Sequence, residues 1–136
     1  MNAGRGTKAL IFTISLSAFL CDLFDAVSAE SQVPIIIGGS ANEDACGAVG
    51  AVAGFKSRAS FLAVRAGPGT SFAVSDTLPV ETPVFICAFQ GEWLGIVYGK
   101  DLSKCAVSSP KPAKLAYQGP CRSGWVYKQY IRIVAG

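Results

Sequence analysis

Short apolar runs separated by glycine- and proline-bearing turns make up most of this chain. The runs are rich in Val, Ile, Phe, Tyr and Trp and cover residues 47–55, 61–65, 83–89, 93–98 and 124–134. Branched and aromatic residues in runs of this length favour β-strands, and residues 90–92 (QGE) are typical of a hairpin turn. No ten-residue stretch after residue 29 has a helical period. The pattern predicts an all-β fold, a small closed β-barrel of about five strands.

The first 29 residues have a different pattern. Arg5 and Lys8 are the only charges among the first twenty residues, and residues 9–21 form an uncharged run of 13. A bilayer span needs about 20 apolar residues, so this run is short for a membrane helix. A basic start, a short apolar centre and small residues at 27–29 (VSA) predict a helical secretory signal over 1–29, cleaved after Ala29.

Two alternatives to this cleavage remain open. The signal could stay attached as a membrane anchor, or Cys21 could be processed as a lipoprotein site. Phe19 and Leu20 are bulky where lipoprotein processing favours small residues, which disfavours the second alternative. After cleavage we expect no membrane span and a periplasmic or secreted protein.

The cysteine count changes once the signal is removed. Cys21 leaves with it, and Cys46, Cys87, Cys105 and Cys121 remain. An even count in a short exported chain predicts two disulfides, whereas zinc ligands usually occur as close pairs. Four cysteines allow three pairings. We favour Cys105–Cys121, which bracket one long loop, and therefore Cys46–Cys87.

Composition limits the function classes. The chain has 136 residues, 51% hydrophobic and 15% charged, which fits one folded domain and not a disordered chain. The net charge is +3 without basic clusters, so we expect a solvated surface and no nucleic-acid partner. Histidine is absent, and the acids Asp76, Glu81, Glu92 and Asp101 have no spacing typical of an acid–base pair. We therefore expect no enzyme activity, no metal and no cofactor.

Three motifs resemble one known family. Residues 62–70 (LAVRAGPGT) resemble the L-x-V-R-x-G-P-G-T signature of bacterial Src homology 3 (SH3b) domains. Residues 91–93 (GEW) and 124–126 (GWV), the latter followed by Tyr130 and Ile131, resemble the family's later G-x-W and G-W-V-x-x-x-Y-L motifs, in the same order. The resemblance covers 61–134 and implies an SH3-like barrel.

The chain after the signal is expected to consist of a leader segment and a barrel domain that contains an insertion. Residues 30–44 form a leader segment that includes an edge-strand candidate, and 45–136 form the barrel domain. Family members join the last two motifs by a short turn, so residues 99–123, which carry Cys105 and Cys121, resemble an insertion.

The resemblance implies a non-catalytic exported bacterial binding module for cell-wall peptide or an envelope protein. The candidate ligand-binding residues are Trp93, Tyr98, Tyr127, Tyr130 and Arg65. Arg65 has two interpretations: it holds a ligand carboxylate, or it tethers its turn to backbone carbonyls. Trp125 is expected in the core. The alternative function is a protein-interaction or inhibitor module that uses the loop 99–122.

Overall fold

The computed structural model describes residues 4, 6, 11 and 31–136. Apart from those three isolated positions, the predicted signal 1–29 and its cleavage point lie outside the described residues. Within the described part of the chain, no helix is long and apolar enough to cross a bilayer.

Strands dominate the described residues, as the sequence predicts. The strands are β1 (Ile36–Ile37), β2 (Ser40–Asp44), β3 (Ala48–Val52), β4 (Phe61–Arg65), β5 (Val74–Pro79), β6 (Pro83–Gln90), β7 (Trp93–Tyr98), β8 (Pro110–Lys111), β9 (Leu115–Ala116), β10 (Arg122–Tyr127) and β11 (Ile131–Ala135). Two short 3₁₀ helices, η1 (Leu102–Lys104) and η2 (Lys128–Tyr130), accompany them. The predicted all-β fold is confirmed.

Seven strands form one antiparallel sheet in the order β11-β3-β6-β7-β10-β4-β5. Leu78 of β5 and Val52 of β3 belong to the same buried cluster although their strands lie at opposite sides of this order, so the sheet curls on itself. The backbone of Val52 also forms two hydrogen bonds with the turn after β5. Its carbonyl oxygen accepts from Glu81 N at 2.8 Å, and its N–H donates to Thr82 O at 3.0 Å.

The curled sheet is open, which corrects the expected closed barrel. Within residues 31–136 no strand ladder joins the edge strands β5 and β11. Pro79 ends β5 and has no backbone N–H with which to extend a pairing. The chain then turns into β6 through Glu81, which has a positive φ of 70° and whose side chain forms an ion pair with Arg132 of β11 at 3.1 Å.

Side chains of the central strands alternate between two cores. Val84 and Ile86 of β6 lie in the inner cluster, inside the curl, whereas Phe85 lies in a second cluster on the outer face. In β10, likewise, Val126 lies in the inner cluster and Trp125 in the outer one. Successive side chains of a strand point to opposite faces, so both faces of these strands are apolar because both are covered.

The leader and the insertion cover the outer face together. β1 pairs with β9 and β2 with β8, in two small antiparallel sheets. Ile35 of the leader and Val107 of the insertion are 1% and 0% exposed in the outer cluster. The edge-strand candidate in the leader is therefore a strand, and its partner is the insertion.

Both disulfides form with the predicted pairing. Cys46 bonds to Cys87 and joins the residues just before β3 to β6. Cys105 bonds to Cys121 and closes the insertion at its base. Tyr117 stabilises the same loop, because its hydroxyl donates to Cys105 O at 2.8 Å and accepts from Cys121 N at 3.1 Å.

Candidate functional site: an aromatic groove

An open groove lies at β4 and at the ends of β7 and β10. Its volume is about 500 Å³. It is lined by Phe55, Phe61, Leu62, Ala63, Arg65, Thr70, Trp93, Tyr127 and Tyr130. We call this set the aromatic groove. Most lining residues are aromatic or aliphatic, which is typical of sites that bind organic ligands.

Strand β4 supplies one wall by simple alternation. Leu62 and Val64 are buried in the inner core, whereas Phe61, Ala63 and Arg65 point to the other face of the strand. Phe61 is 59% exposed, an unusual exposure for a side chain of its size.

Strand pairing brings two predicted aromatic residues together. Trp93 opens β7 and lies directly opposite Tyr127, the last residue of β10. Their rings meet edge to face with centroids 5.5 Å apart. Beside them, Lys128 Nζ forms an ion pair with Glu92 Oε1 at 2.9 Å, and Lys128 N donates to Glu92 O at the same distance. The end of the β7–β10 ladder is thus held by both backbone and side chains.

The single turn η2 places Tyr130 in the groove. Its ring lies 6.2 Å from that of Tyr127 and stacks on Phe55 with centroids 4.3 Å apart and 6° between the planes. The Phe55 loop is fixed from the backbone side as well, since Ala53 N donates to Tyr130 O at 2.9 Å. Stacked pairs of this kind are favourable beyond their buried area.

Arg65 holds the glycine-rich turn that follows β4. Its Nη1 donates to Thr70 O at 3.1 Å and to Phe72 O at 2.9 Å, which is the tether that the second interpretation of this residue describes. The turn needs glycine at 67, where a Cβ would overlap the ring of Phe72. A guanidinium has five N–H donors, and both of these bonds come from one nitrogen.

Four of the five predicted site residues meet in this groove: Trp93, Tyr127, Tyr130 and Arg65. Tyr98 does not. It is 4% exposed in the inner core, and its hydroxyl donates to Asp76 Oδ2 at 2.9 Å. Burial raises the pKa of Tyr98 well above its ordinary value, and the hydrogen bond to Asp76 raises this pKa further.

Trp125 lies in the core, as expected. It is 3% exposed in the outer cluster, and its indole Nε1 donates to Val33 O at 2.9 Å. Val33 N in turn donates to Ala66 O at 2.7 Å. The leader therefore covers the outer face beside Trp125, whereas Trp93, which packs against the same outer cluster, lines the aromatic groove.

Sequence reasoning missed Phe55 and Phe61. The strand alternation in 61–65 (FLAVR) contains a usable signal, because it places Phe61 on the same face as Arg65. Phe55 has no such signal, since it lies in a loop and its place depends on η2 far along the chain.

The groove offers aromatic faces, hydroxyls and a guanidinium, which are groups for binding. Among the described residues, no cluster of three or more His, Cys, Asp or Glu side chains is placed to hold a metal ion. The chain matches no model of a known protein family, no curated protein and no solved structure.

Proposed function

We propose that this protein is an exported, non-catalytic binding module of the Src homology 3 type, which recognises a short peptide of the bacterial cell wall in its aromatic groove. The supporting observation is that Trp93, which lies far in sequence from Tyr127 and Tyr130, lines one open groove with them beside Arg65. The motifs at 62–70, 91–93 and 124–126 support the family assignment.

Two features support export to the periplasm or the medium. The signal pattern of 1–29 is the first, and the two disulfides of the structure are the second. Disulfides form and persist in oxidising compartments and are rare in the cytosol.

The exposed aromatic faces suit an extended peptide. A peptide in an extended conformation presents side chains that pack between aromatic rings, as in the peptide grooves of eukaryotic relatives. The ring of Tyr130 stacks on Phe55 and lies beside Tyr127, which meets Trp93 edge to face, so these four rings form a continuous aromatic row in the groove. This row is the proposed peptide site.

Retention on purified peptidoglycan tests the proposal. Wild-type protein is expected to sediment with peptidoglycan, and Trp93→Ala to lose most of this retention, because a central aromatic contact is typically worth about 2 kcal/mol or more in binding. Phe89→Ala is the matched control, since Phe89 is 73% exposed and outside the groove. Equal retention of both variants, or no retention of the wild type, would contradict the proposal.

The second candidate is a protein-interaction or inhibitor module that uses the insertion. Leu115 of β9 is 42% exposed, which favours a small apolar contact on the insertion. Leu115→Ser should then abolish capture of an envelope protein and preserve peptidoglycan retention. Point substitutions are preferable to a deletion, because Cys105 and Val107 of the insertion are fully buried.

A further inference from the structure

The aromatic groove has an unbalanced positive charge. Among its lining residues, Arg65 is the one ionised side chain, and none is a carboxylate. We infer that the groove recognises a peptide that carries a free carboxylate, with Arg65 and the neighbouring basic loop binding the acid while the aromatic rings bind the adjacent apolar groups. The inference rests on the proposed function and specifies the chemistry of its ligand.

The loop between β3 and β4 supplies the further positive charge. Phe55 and Phe61 both line the groove, and the residues between them include Lys56 and Arg58, which are exposed. We call Lys56, Arg58 and Arg65 the basic rim. The stacking of Phe55 on Tyr130 fixes one end of this loop against the groove.

The acids near the groove do not neutralise this rim. The ion pairs within residues 31–136 join Asp76 to Arg122, Glu81 to Arg132 and Glu92 to Lys128. Glu92 precedes Trp93 and is the acid nearest in sequence to a groove residue, and its charge is balanced by Lys128 at 2.9 Å. None of these pairs involves a residue of the basic rim.

The ligand chemistry follows from complementarity. Cationic side chains on an apolar groove attract an anionic group and repel a cationic one, so they select among peptides that fit the aromatic faces equally well. Guanidinium groups also match a carboxylate geometrically and bind it with paired hydrogen bonds. The eukaryotic preference for proline-rich peptides with basic residues is therefore not expected here.

A matched pair of peptides tests the inference. One is a wall stem peptide, Ala-γ-D-Glu-Lys-D-Ala-D-Ala, with free carboxylates, and the other is the same peptide with each carboxylate amidated. Calorimetric titration at low salt should show about tenfold or greater preference for the free acid, the effect of one charge-assisted hydrogen bond. Raising the ionic strength to about 0.5 M should reduce this preference, because exposed charges are screened.

Amino-acid variants test whether the basic rim causes the preference for the free-acid peptide. Lys56→Gln with Arg58→Gln should lose most of the preference for the free acid, because this variant removes two exposed cations of the basic rim. Lys100→Gln with Lys104→Gln is the control, since these exposed lysines lie outside the groove. It should retain the wild-type preference.

The results that would overturn this inference differ from those that would also overturn the proposed function. Equal binding of the two peptides overturns the inference and leaves the proposed function standing. Binding of neither peptide, together with loss of retention on peptidoglycan, overturns both. Competition by inorganic phosphate as strong as that by the free-acid peptide would show a general anion site, and it would also overturn the inference.

Discussion

Two tryptophans show how much the environment of a residue depends on the segment that covers it. Trp125 lies under the leader and donates its indole N–H to Val33 O at 2.9 Å. Trp93 is only partly buried and lines the aromatic groove. The two rings lie on the same face of neighbouring strands, so it is the leader that makes one structural and leaves the other available to a ligand.

Tyr98 gives a residue-scale prediction about alkaline stability. Its folded-state pKa is raised by burial and by Asp76, whereas in the unfolded chain the phenol ionises near pH 10. Above that pH the unfolded state releases a proton that the folded state keeps, so the free energy of unfolding should fall, by up to about 1.4 kcal/mol per pH unit. Below about pH 10 this contribution to stability is fully present.

Urea unfolding of wild type and Tyr98→Phe from about pH 8 to about pH 11 measures the effect. The Phe variant should be less stable at pH 8 by about 1 kcal/mol, because it lacks the hydrogen bond to Asp76. Its stability should then decline less steeply than that of the wild type. Parallel pH profiles would show that Tyr98 does not carry the alkaline dependence.

Gly124 gives a prediction about how closely strands β4 and β10 pack. It lies in β10 beside β4, where a Cβ would overlap Val64 Cγ1 and lie 3.1 Å from Arg65 O. Gly124→Ala should therefore push β4 and β10 apart and lower the free energy of unfolding by about 1–3 kcal/mol, the usual effect of overpacking.

Chemical denaturation with Gly47→Ala as the control checks this prediction. A Cβ on Gly47 meets no atom within 4 Å, so that variant should lie within about 0.5 kcal/mol of wild type. Similar losses in both variants would mean that the close approach of β4 and β10 is not what requires glycine at 124.

The strands themselves were largely predictable, because branched and aromatic runs mark β4, β6, β7 and β10 directly. In 93–98 (WLGIVY) the alternation also separates Trp93 from Tyr98, since an odd offset places them on opposite faces. Applied to the site, that rule would have removed Tyr98 from the groove. Aromatic character alone does not distinguish the two faces of a strand, whereas the position of Tyr98 in β7 does.

The pairings β1–β9 and β2–β8 were not predictable. The isoleucines of β1 mark it as a strand candidate, but its two-residue partner β9 and the strand β8, which begins at a proline, are marked by neither propensity nor period. Their partners lie about 70 or more residues away along the chain, as Ser40 pairs with Lys111. Packing of Ile35 and Val107 in the outer cluster selects these pairings, and that is a tertiary effect.

For the whole molecule, the disulfides should contribute unequally. Cys46–Cys87 closes a separation of 41 residues and Cys105–Cys121 one of 16. In the chain-entropy model the shorter loop stabilises by about 3 kcal/mol, and the longer one by about 0.8 kcal/mol more. The longer bond also joins the main sheet, whereas the shorter one lies within the insertion.

Paired alanine variants compare the two bonds. Cys46→Ala with Cys87→Ala should lower the melting temperature more than Cys105→Ala with Cys121→Ala. The opposite order would show that packing of the fully buried Cys105 outweighs loop closure. In either case dithiothreitol should leave the melting temperature of a protein lacking all four cysteines unchanged.

The hydrogen bonds of Val33 and Gln32 also limit how far the chain can be trimmed from its amino end. Val33 N reaches Ala66 O, Val33 O receives the Trp125 indole, and Gln32 Nε2 donates to Ser123 O at 3.0 Å. Processing that removed these residues would uncover the Trp125 ring. On the proposed function, in which the chain is exported and cleaved after Ala29, trimming by an aminopeptidase should stop ahead of Gln32, and mass spectrometry of the amino terminus would show that boundary.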